Sequence, residues 1–221
     1  MISIVIPSYN QQEFLSDALD SALWQNAHEV IMVDDGSTDN SLKIAEGYWK
    51  KGGLKLISQV NKGLSAARNT GVMNATGDYV LFLDADDILL EGAVSKIQKV
   101  IDETGADIVA PSFKCFGLNN EPVILMANPK LEDFKPGNRI GYCQAIRRDV
   151  LLEVGGYSPR MALGYEDLHL TYNLLTRGKK LVTIQEVLWL YRTKPNSMIQ
   201  TAMQHHGELM AQIQKDFPDA F

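Results

Sequence analysis

Cysteine is scarce in this chain of 221 residues: Cys115 and Cys143 are the only two. They stand far apart and outside any CxxC or Cys/His spacing, so neither a disulfide framework nor a structural zinc site is indicated, and a reducing compartment fits. Positive charge is also short. Lys plus Arg number 21 against 27 Asp plus Glu, a net charge of −6, so no global field would hold nucleic acid or an anionic membrane. An anionic ligand has to be held locally. Apolar runs such as YVLFL around Leu81 and VLWLY around Trp189 extend about five residues, where a bilayer needs roughly 20. The opening MISIVIPSYN has neither the basic start nor the small-residue cleavage site of a secretory signal, and it reads as a strand from its second residue. A cytoplasmic chain without a transmembrane segment is expected. Neither GxGxxG nor GxxxxGK[ST] occurs, which removes the dinucleotide-binding and P-loop classes. SIVIPSYNQQ also has no glycine, where a nucleotidyltransferase would need a phosphate loop after its first strand. His28, His169, His205 and His206 show no metal-ligand spacing.

What remains is an ordinary globular composition, 45% hydrophobic and 22% charged, at a length that suits one domain with a sizeable core. Strand and helix signals alternate through the first hundred residues. Ile2 to Ile6 is a strand, and Phe14, Leu15, Ala18, Leu19, Ala22 and Leu23 give a helix. Val30 to Val33 is a strand, followed by a helix through Leu42, Ala45 and Trp49. Leu54 to Ile57, the helix Leu64 to Ala75 and the strand Tyr79 to Leu83 follow, then a helix through Val94, Ile97 and Ile101 and a strand at Ile108 to Ala110. Phe116 to Asn138 is irregular. Further on, the pattern predicts a strand at Ile140 to Ile146 and helices at Asp149 to Val154 and Asp167 to Leu175. Two late strands, Leu181 to Ile184 and Val187 to Tyr191, precede one helical stretch from Ser197 to Phe217 with Ile199, Met203, Leu209, Met210 and Ile213 as its apolar face. The fold class is α/β: a Rossmann-like, mostly parallel sheet flanked by helices, with a C-terminal helix. The domain runs over 1–197, and 198–221 forms a helical extension packed on it.

Ligands in such sheets bind beyond the carboxyl ends of the strands. Three polar segments fall at strand ends: Pro7-Ser8-Tyr9-Asn10, Asp34-Asp35-Gly36-Ser37 and Asp84-Ala85-Asp86-Asp87. Asp84 and Asp86, one residue apart, can reach one hard cation and leave positions for a diphosphate, although a solvated acidic turn would use the same letters. Asp39 and Gly36 are explained by a helix cap and a turn, whereas adjacent Asp34 and Asp35 repel unless a donor such as a nucleobase imide meets them. Lys62 and Arg68 bring cations to this acidic chain; GLSAA resembles a nucleophile elbow only superficially, ending in Ala67 where a glycine is required. Asp167, after Gly164-Tyr165-Glu166, is either a charge favourable to a helix start or a carboxylate that takes a proton from an acceptor hydroxyl, with Tyr165 beside it to stack on a sugar. Arg192 and Lys194 in YRTKPNS could add a cationic patch to the same crevice, or be ordinary loop charges.

Taken in order, SIVIPSYN, VDDGSTD, NKGLSAARNTG, DYVLFLDADD, RRDVLLEVGGY, GYEDLHL and LYR resemble the family 2 inverting glycosyltransferases of GT-A fold, from Ile2 to about Ser197. The resemblance implies that Pro7, Tyr9 and Asp35 contact the nucleoside, with Arg68 facing the base or phosphates. It implies that Asp84 and Asp86 are the DxD pair, Asp86 the direct ligand of Mn2+ or Mg2+, with Asp87 left open as an alternative, and that Asp167 is the catalytic base, with Glu166 beside it to support the acceptor or orient the base. A nucleotide-diphosphate sugar, most often a UDP-sugar, is the implied donor; a saccharide or glycolipid is the acceptor. Lys194 stands where the family often has histidine, and pairs with the diphosphate or points away. QxxRW, the mark of processive synthases, is absent, so one sugar per event is expected. A nucleotide-sugar-binding module without efficient transfer is the alternative. The C-terminal stretch leaves a homodimer or a peripheral place at the inner face of a membrane open; its mixed polar face with His205, Glu208 and Asp216 is not a basic membrane-binding one.

Overall fold

A computed structural model describes residues 1–195 and 197–221; Asn196, within YRTKPNS, lies outside the described residues. The chain begins β1 (Ile2–Ser8), α1 (Leu15–Leu23), β2 (Glu29–Asp34), α2 (Ser41–Lys51), β3 (Leu54–Ser58), α3 (Leu64–Asn74), β4 (Tyr79–Phe82). All seven residues of β1 and all four of β4 are buried, as continuous apolar strands covered on both faces should be. Helix α3 lies so close to β1 that a Cβ on Gly71 would stand 2.2 Å from Val5 Cγ1, which is why glycine occupies that turn. β3, β2, β1 and β4 pair in parallel, and their carboxyl ends bring Ser8 opposite Asp34 and Asp34 opposite Ser58.

The second half continues with β5 (Ile88–Leu89), α4 (Ala93–Thr104), β6 (Ile108–Gly117), β7 (Pro122–Val123), β8 (Ala145–Arg147), α5 (Arg148–Glu153), α6 (Glu166–Leu175), β9 (Leu181–Thr193), α7 (Met198–Gln204) and α8 (His206–Asp216). One sheet runs β3-β2-β1-β4-β8-β6-β9-β5, with β7 on the side of β6. β8 joins β4 and β6 antiparallel, whereas β6 and β9 are parallel. The sheet is thus parallel across its first four strands and mixed beyond them.

Several expectations need correction. The strand foreseen over Ile140 to Ile146 is only Ala145–Arg147; Ile140, Tyr142, Cys143 and Gln144 are buried by side-chain packing without strand pairing. The two late strands are one, β9, interrupted in register: Ile184 faces Pro111 and Trp189 faces Phe113, so five steps along β9 match two along β6. The C-terminal helix breaks at His205 into α7 and α8. Leu209 and Ile213 are buried as expected, but Ile199 and Met203 are 45% and 66% exposed, and Ala202 is the α7 residue that packs. The reason is Gly164, whose absent side chain admits Ala202: a Cβ there would lie 2.5 Å from Ala202 Cβ. α8 docks through Asp216, which holds His169 Nε2 at 3.0 Å. Among the described residues no helix is long and apolar enough to cross a membrane.

Candidate active site

Two clefts open at the carboxyl end of the parallel strands. The first, about 460 Å³, is lined by Pro7, Tyr9, Asp35, Asp84, Asp86 and Lys194 among others. The second, about 700 Å³, carries Asp167 and is walled by Phe113, Tyr142, Trp189 and Tyr191. Ile199 and Tyr191 belong to both. These dimensions are those of small-ligand sites.

In the first cleft Asp35 is buried and already holds three donors. Gln59 Nε2 at 2.7 Å and the Lys62 amide at 2.9 Å reach Oδ1; the Gly63 amide at 2.8 Å reaches Oδ2. The carboxylate shapes the loop before α3, and one lone pair of Oδ2 stays free for a further N–H. Tyr9 is half exposed at the mouth. Asp34, its neighbour, turns inward: Oδ2 accepts from the Ser37 amide while Oδ1 is buried without a partner, as is Ser8 Oγ.

The turn after β4 separates its three acids. Asp84 and Asp86 line the cleft. Asp87 does not: it is 1% exposed, accepting the Tyr142 hydroxyl on Oδ2 and the Arg192 amide, at 2.6 Å, on Oδ1. Burial, then the charges of Asp86 and Asp84, push the Asp87 carboxyl well above the usual range. Asp87 therefore ties the turn to β9, and of the two it is Asp86 that lines the cleft. Asp86 Oδ2 meets Lys194 Nζ at 2.6 Å, and the same ammonium reaches Gln11 Oε1 at 3.3 Å. Arg192 is spent on structure, its guanidinium between the rings of Phe14 and Phe116, each 4.3 Å away, and its Nε on the Asp86 carbonyl.

Arg68 is placed behind the cleft wall rather than on it. It is fully buried, with Nη2 donating to Asp84 Oδ1 at 2.8 Å and Nη1 to Glu166 Oε1 at 2.6 Å, under the faces of Tyr142 and Tyr157. One guanidinium thus links the acidic turn of the first cleft to the first residue of α6, next to Asp167. Burial raises the Asp84 carboxyl to about 6 despite Arg68, the charge of Asp86 adding to it. Asp167 rises further, to about 7, through burial and then the neighbouring Glu166 charge, with Arg68 opposing. Its Oδ1 accepts from the Leu168 amide at 2.7 Å and its Oδ2 from Asn138 Nδ2 at 2.5 Å. Tyr165, in the left-handed region at φ 59°, turns the chain into α6, and its hydroxyl meets His206 Nδ1 at 2.9 Å. It is not on the cleft wall foreseen for it.

The structure thus brings Pro7, Tyr9, Asp35, Asp84, Asp86 and Lys194 together in one cleft and puts Asp167 in the next, where the sequence reading expected a single crevice. That reading missed Asn138, Tyr142, Trp189 and Ile199. Asn138 and Tyr142 lie in irregular chain with no periodicity to flag them. Trp189 was read only as part of a strand and Ile199 only as a helix-face residue.

Among the described residues, no group of three or more His, Cys, Asp or Glu side chains is disposed to hold a metal. The cleft offers the pair Asp84 and Asp86. A hard cation that takes one or two carboxylates and completes its shell with phosphate oxygens and water fits that donor set.

Comparison with known proteins bears on this arrangement. EpsJ of Bacillus subtilis (strain 168), an uncharacterized glycosyltransferase, is 27% identical over 98% of this chain and 67% of its own length. Glycosyltransferase GlyG of Streptococcus pneumoniae serotype 4 is 27% identical over 91% of this chain and 73% of its own. The poly(ribitol-phosphate) beta-N-acetylglucosaminyltransferase TarS of Staphylococcus aureus is 28% identical, and this chain spans about a third of it, 35%. A solved structure of S. aureus TarS residues 1–349 with UDP-GlcNAc superposes with a TM-score of 0.81 at 22% identity, covering 96% of this chain and 65% of that one. A mannosyltransferase of Pyrobaculum calidifontis, in complex with GDP-Man and Mn2+, gives 0.70 at 18% identity over 99% and 68%. These likenesses establish the GT-A fold. The Glycosyl transferase family 2 model matches residues 3–169, which carry both the acidic turn and Asp167, and the chain belongs to that family.

Proposed function

We propose that this domain transfers one sugar from a nucleotide-diphosphate sugar, a UDP-sugar first among them, to an acceptor hydroxyl by a single inverting displacement. The observation that carries the reading is the Arg68 bridge, which fixes the acidic turn of one cleft against the helix start that presents Asp167 to the other. The first cleft takes the donor: Pro7 and Tyr9 border the nucleoside, Asp35 offers its free lone pair to the base, and Lys194 meets the diphosphate. Asp84 and Asp86 would hold Mn2+ or Mg2+, which supplies positive charge against the diphosphate. A UDP-sugar donor is supported by the UDP-GlcNAc of the TarS complex, and a divalent cation by the Mn2+ that accompanies GDP-Man in the mannosyltransferase.

The second cleft takes the acceptor. Asp167 removes the proton of its hydroxyl; the oxygen's electron pair forms the new bond to the anomeric carbon as the bond to the diphosphate oxygen breaks, and that electron pair leaves with the nucleotide. A base whose pKa lies near neutrality is matched to this task. Phe113, Tyr142, Trp189 and Tyr191 give the acceptor apolar surface to pack on. The chain's acceptor is a saccharide or glycolipid.

The test is a thermal-shift series with UDP, GDP, dTDP and CDP, each with EDTA, Mg2+ or Mn2+, followed by nucleotide release from the corresponding sugars. A ligand at 100 times its Kd adds about 2.7 kcal/mol of stability. Stabilisation by one nucleotide only with a divalent cation, and release that Asp167→Asn abolishes without weakening nucleotide binding, is the expected result. No shift with any pair returns the domain to the alternative of a fold kept without transfer.

A further inference from the structure

We infer that Asn138 is a positioning residue for Asp167, clamping the carboxylate in the orientation and ionised state in which it accepts a proton. The assignment of Asp167 as base rests on the function proposed above; the clamp itself rests on geometry alone. Asn138 Nδ2 donates to Asp167 Oδ2 at 2.5 Å, across 29 residues of sequence. The identity of the donating atom follows from the other end of the amide, where Oδ1 accepts the Ile140 amide at 3.1 Å. A reversed amide would set two donors against each other at Ile140 and two acceptors against each other at Asp167.

The segment that delivers Asn138 is itself anchored. Phe134 and Ile140 are fully buried on either side of it. Lys130 and Asp133 cap the 3-10 turn Leu131–Phe134, and Arg139 Nε holds the Asp133 carbonyl at 3.3 Å. With the Leu168 amide on Oδ1 and Asn138 on Oδ2, each oxygen of Asp167 is fixed by one donor and keeps a lone pair for the acceptor hydroxyl. A hydrogen bond donated to a carboxylate favours its charged form, so both donors work with Arg68 against burial and Glu166, which favour the neutral one.

The groups facing Asp167 come from every side of the cleft. Glu166 sits beside it on α6, Arg68 reaches from α3 and Asp84 from the turn after β4; Tyr157 and Tyr191 face it from the loop before α6 and from β9. Glu132, Asp133 and Arg139 share the cleft from the Asn138 segment. Of these only Arg68 and Arg139 are cationic. Arg68 favours the Asp167 charge from a distance but spends its hydrogen bonds on Asp84 and Glu166, so Asn138 is the side-chain donor that touches Asp167 itself.

The experiment is a 13C titration of the Asp167 side-chain carboxyl in wild type, Asn138→Ala and Asn138→Asp, with nucleotide release and UDP binding measured on the same proteins. Removing a hydrogen bond to a charged group should raise the Asp167 midpoint by about one pH unit in Asn138→Ala. It should rise further in Asn138→Asp, which is the same size but brings a like charge. Release at pH 7 should fall roughly 10- to 100-fold in kcat, with UDP affinity within about twofold of wild type because Asn138 is outside the donor cleft. Asn138→Asp conserves shape, so a misfolded alanine variant leaves the test intact. A midpoint unmoved in both variants overturns the clamp, as does a kcat preserved in Asn138→Asp. If the midpoint moves while the wild type releases nucleotide from no donor, the clamp stands and the proposed transfer falls.

Discussion

Asp167→Asn should silence transfer and, at alkaline pH, stabilise the fold. The folded carboxyl is raised from 3.8 to about 7, so the native state keeps this proton where the unfolded chain has lost it. Stability then declines as pH rises from about 4 to the folded midpoint and is constant beyond it, because the native state binds more protons across that window. From pH 5 to 7 is two pH units at about 1.4 kcal/mol each, so ionising Asp167 costs the wild type about 3 kcal/mol at most over that interval, less where cleft water screens it. Asparagine carries no such penalty. It does lose one good hydrogen bond, since an amide cannot accept from both the Leu168 amide and Asn138 without turning its own NH2 toward one of them, a cost of about 1–2 kcal/mol at every pH. Urea unfolding of both proteins at pH 5 and pH 8.5 should therefore show the variant weaker at the lower pH and gaining on wild type by about 2–3 kcal/mol at the higher. A difference that is flat with pH, or one that moves the other way, refutes the account of Asp167.

Three further perturbations probe the surrounding framework. Arg68→Met strips the shared cation from buried Asp84 and Glu166 and should cost about 3–5 kcal/mol at pH 7.5, less at pH 5 where protonation relieves Asp84; chemical denaturation at the two pH values measures both. Lys194→Ala frees Asp86 of its ammonium partner, so UDP affinity by calorimetry should drop in EDTA and be largely restored by Mn2+; equal losses under both conditions would contradict a charge shared between lysine and metal. Gly164→Val combines a φ of 126° with a Cβ 2.5 Å from Ala202 and should release α7, raising amide exchange across Met198–Gln204 and costing about 1–3 kcal/mol.

Strands β1, β2 and β4 of the parallel half were legible because each is a short apolar run that leads into acids or Pro7-Ser8, and burial on both faces demands that pattern. Asp35, Asp84 and Asp86 were placed by the same logic, since strand ends are where such sheets gather ligands. Residues 140–144 escaped because their burial comes from distant partners: Tyr142 is held by Asp87 and packs against Trp189, neither close in sequence. Arg68 was read as a ligand for the donor although its position gave a hint of its burial. Ser65, Ala67, Gly71 and Val72 define the inner stripe of α3, and Arg68 lies on it, spaced one from Ala67, three from Ser65 and Gly71 and four from Val72. An arginine on such a stripe must find carboxylates inside the protein, and Asp84 and Glu166 supply them.

The irregular register of β9 decides more than a hydrogen-bonding detail. Three surplus residues pass between the Ile184 and Trp189 pairings with β6, an odd number, so the outer part of the strand presents the opposite parity from its beginning. That parity gives Trp189 to the larger cleft and the even-numbered Arg192 and Lys194 to the smaller one, with Tyr191 on the wall the two share. Deleting a single residue from Gln185–Val187 would leave the ladder able to pair while exchanging the two sets, turning the aromatic wall and the cation each toward the wrong cleft. A stretch that looks like a loose spot in the sheet is therefore a phase setting, and the chemistry of both clefts is written in it.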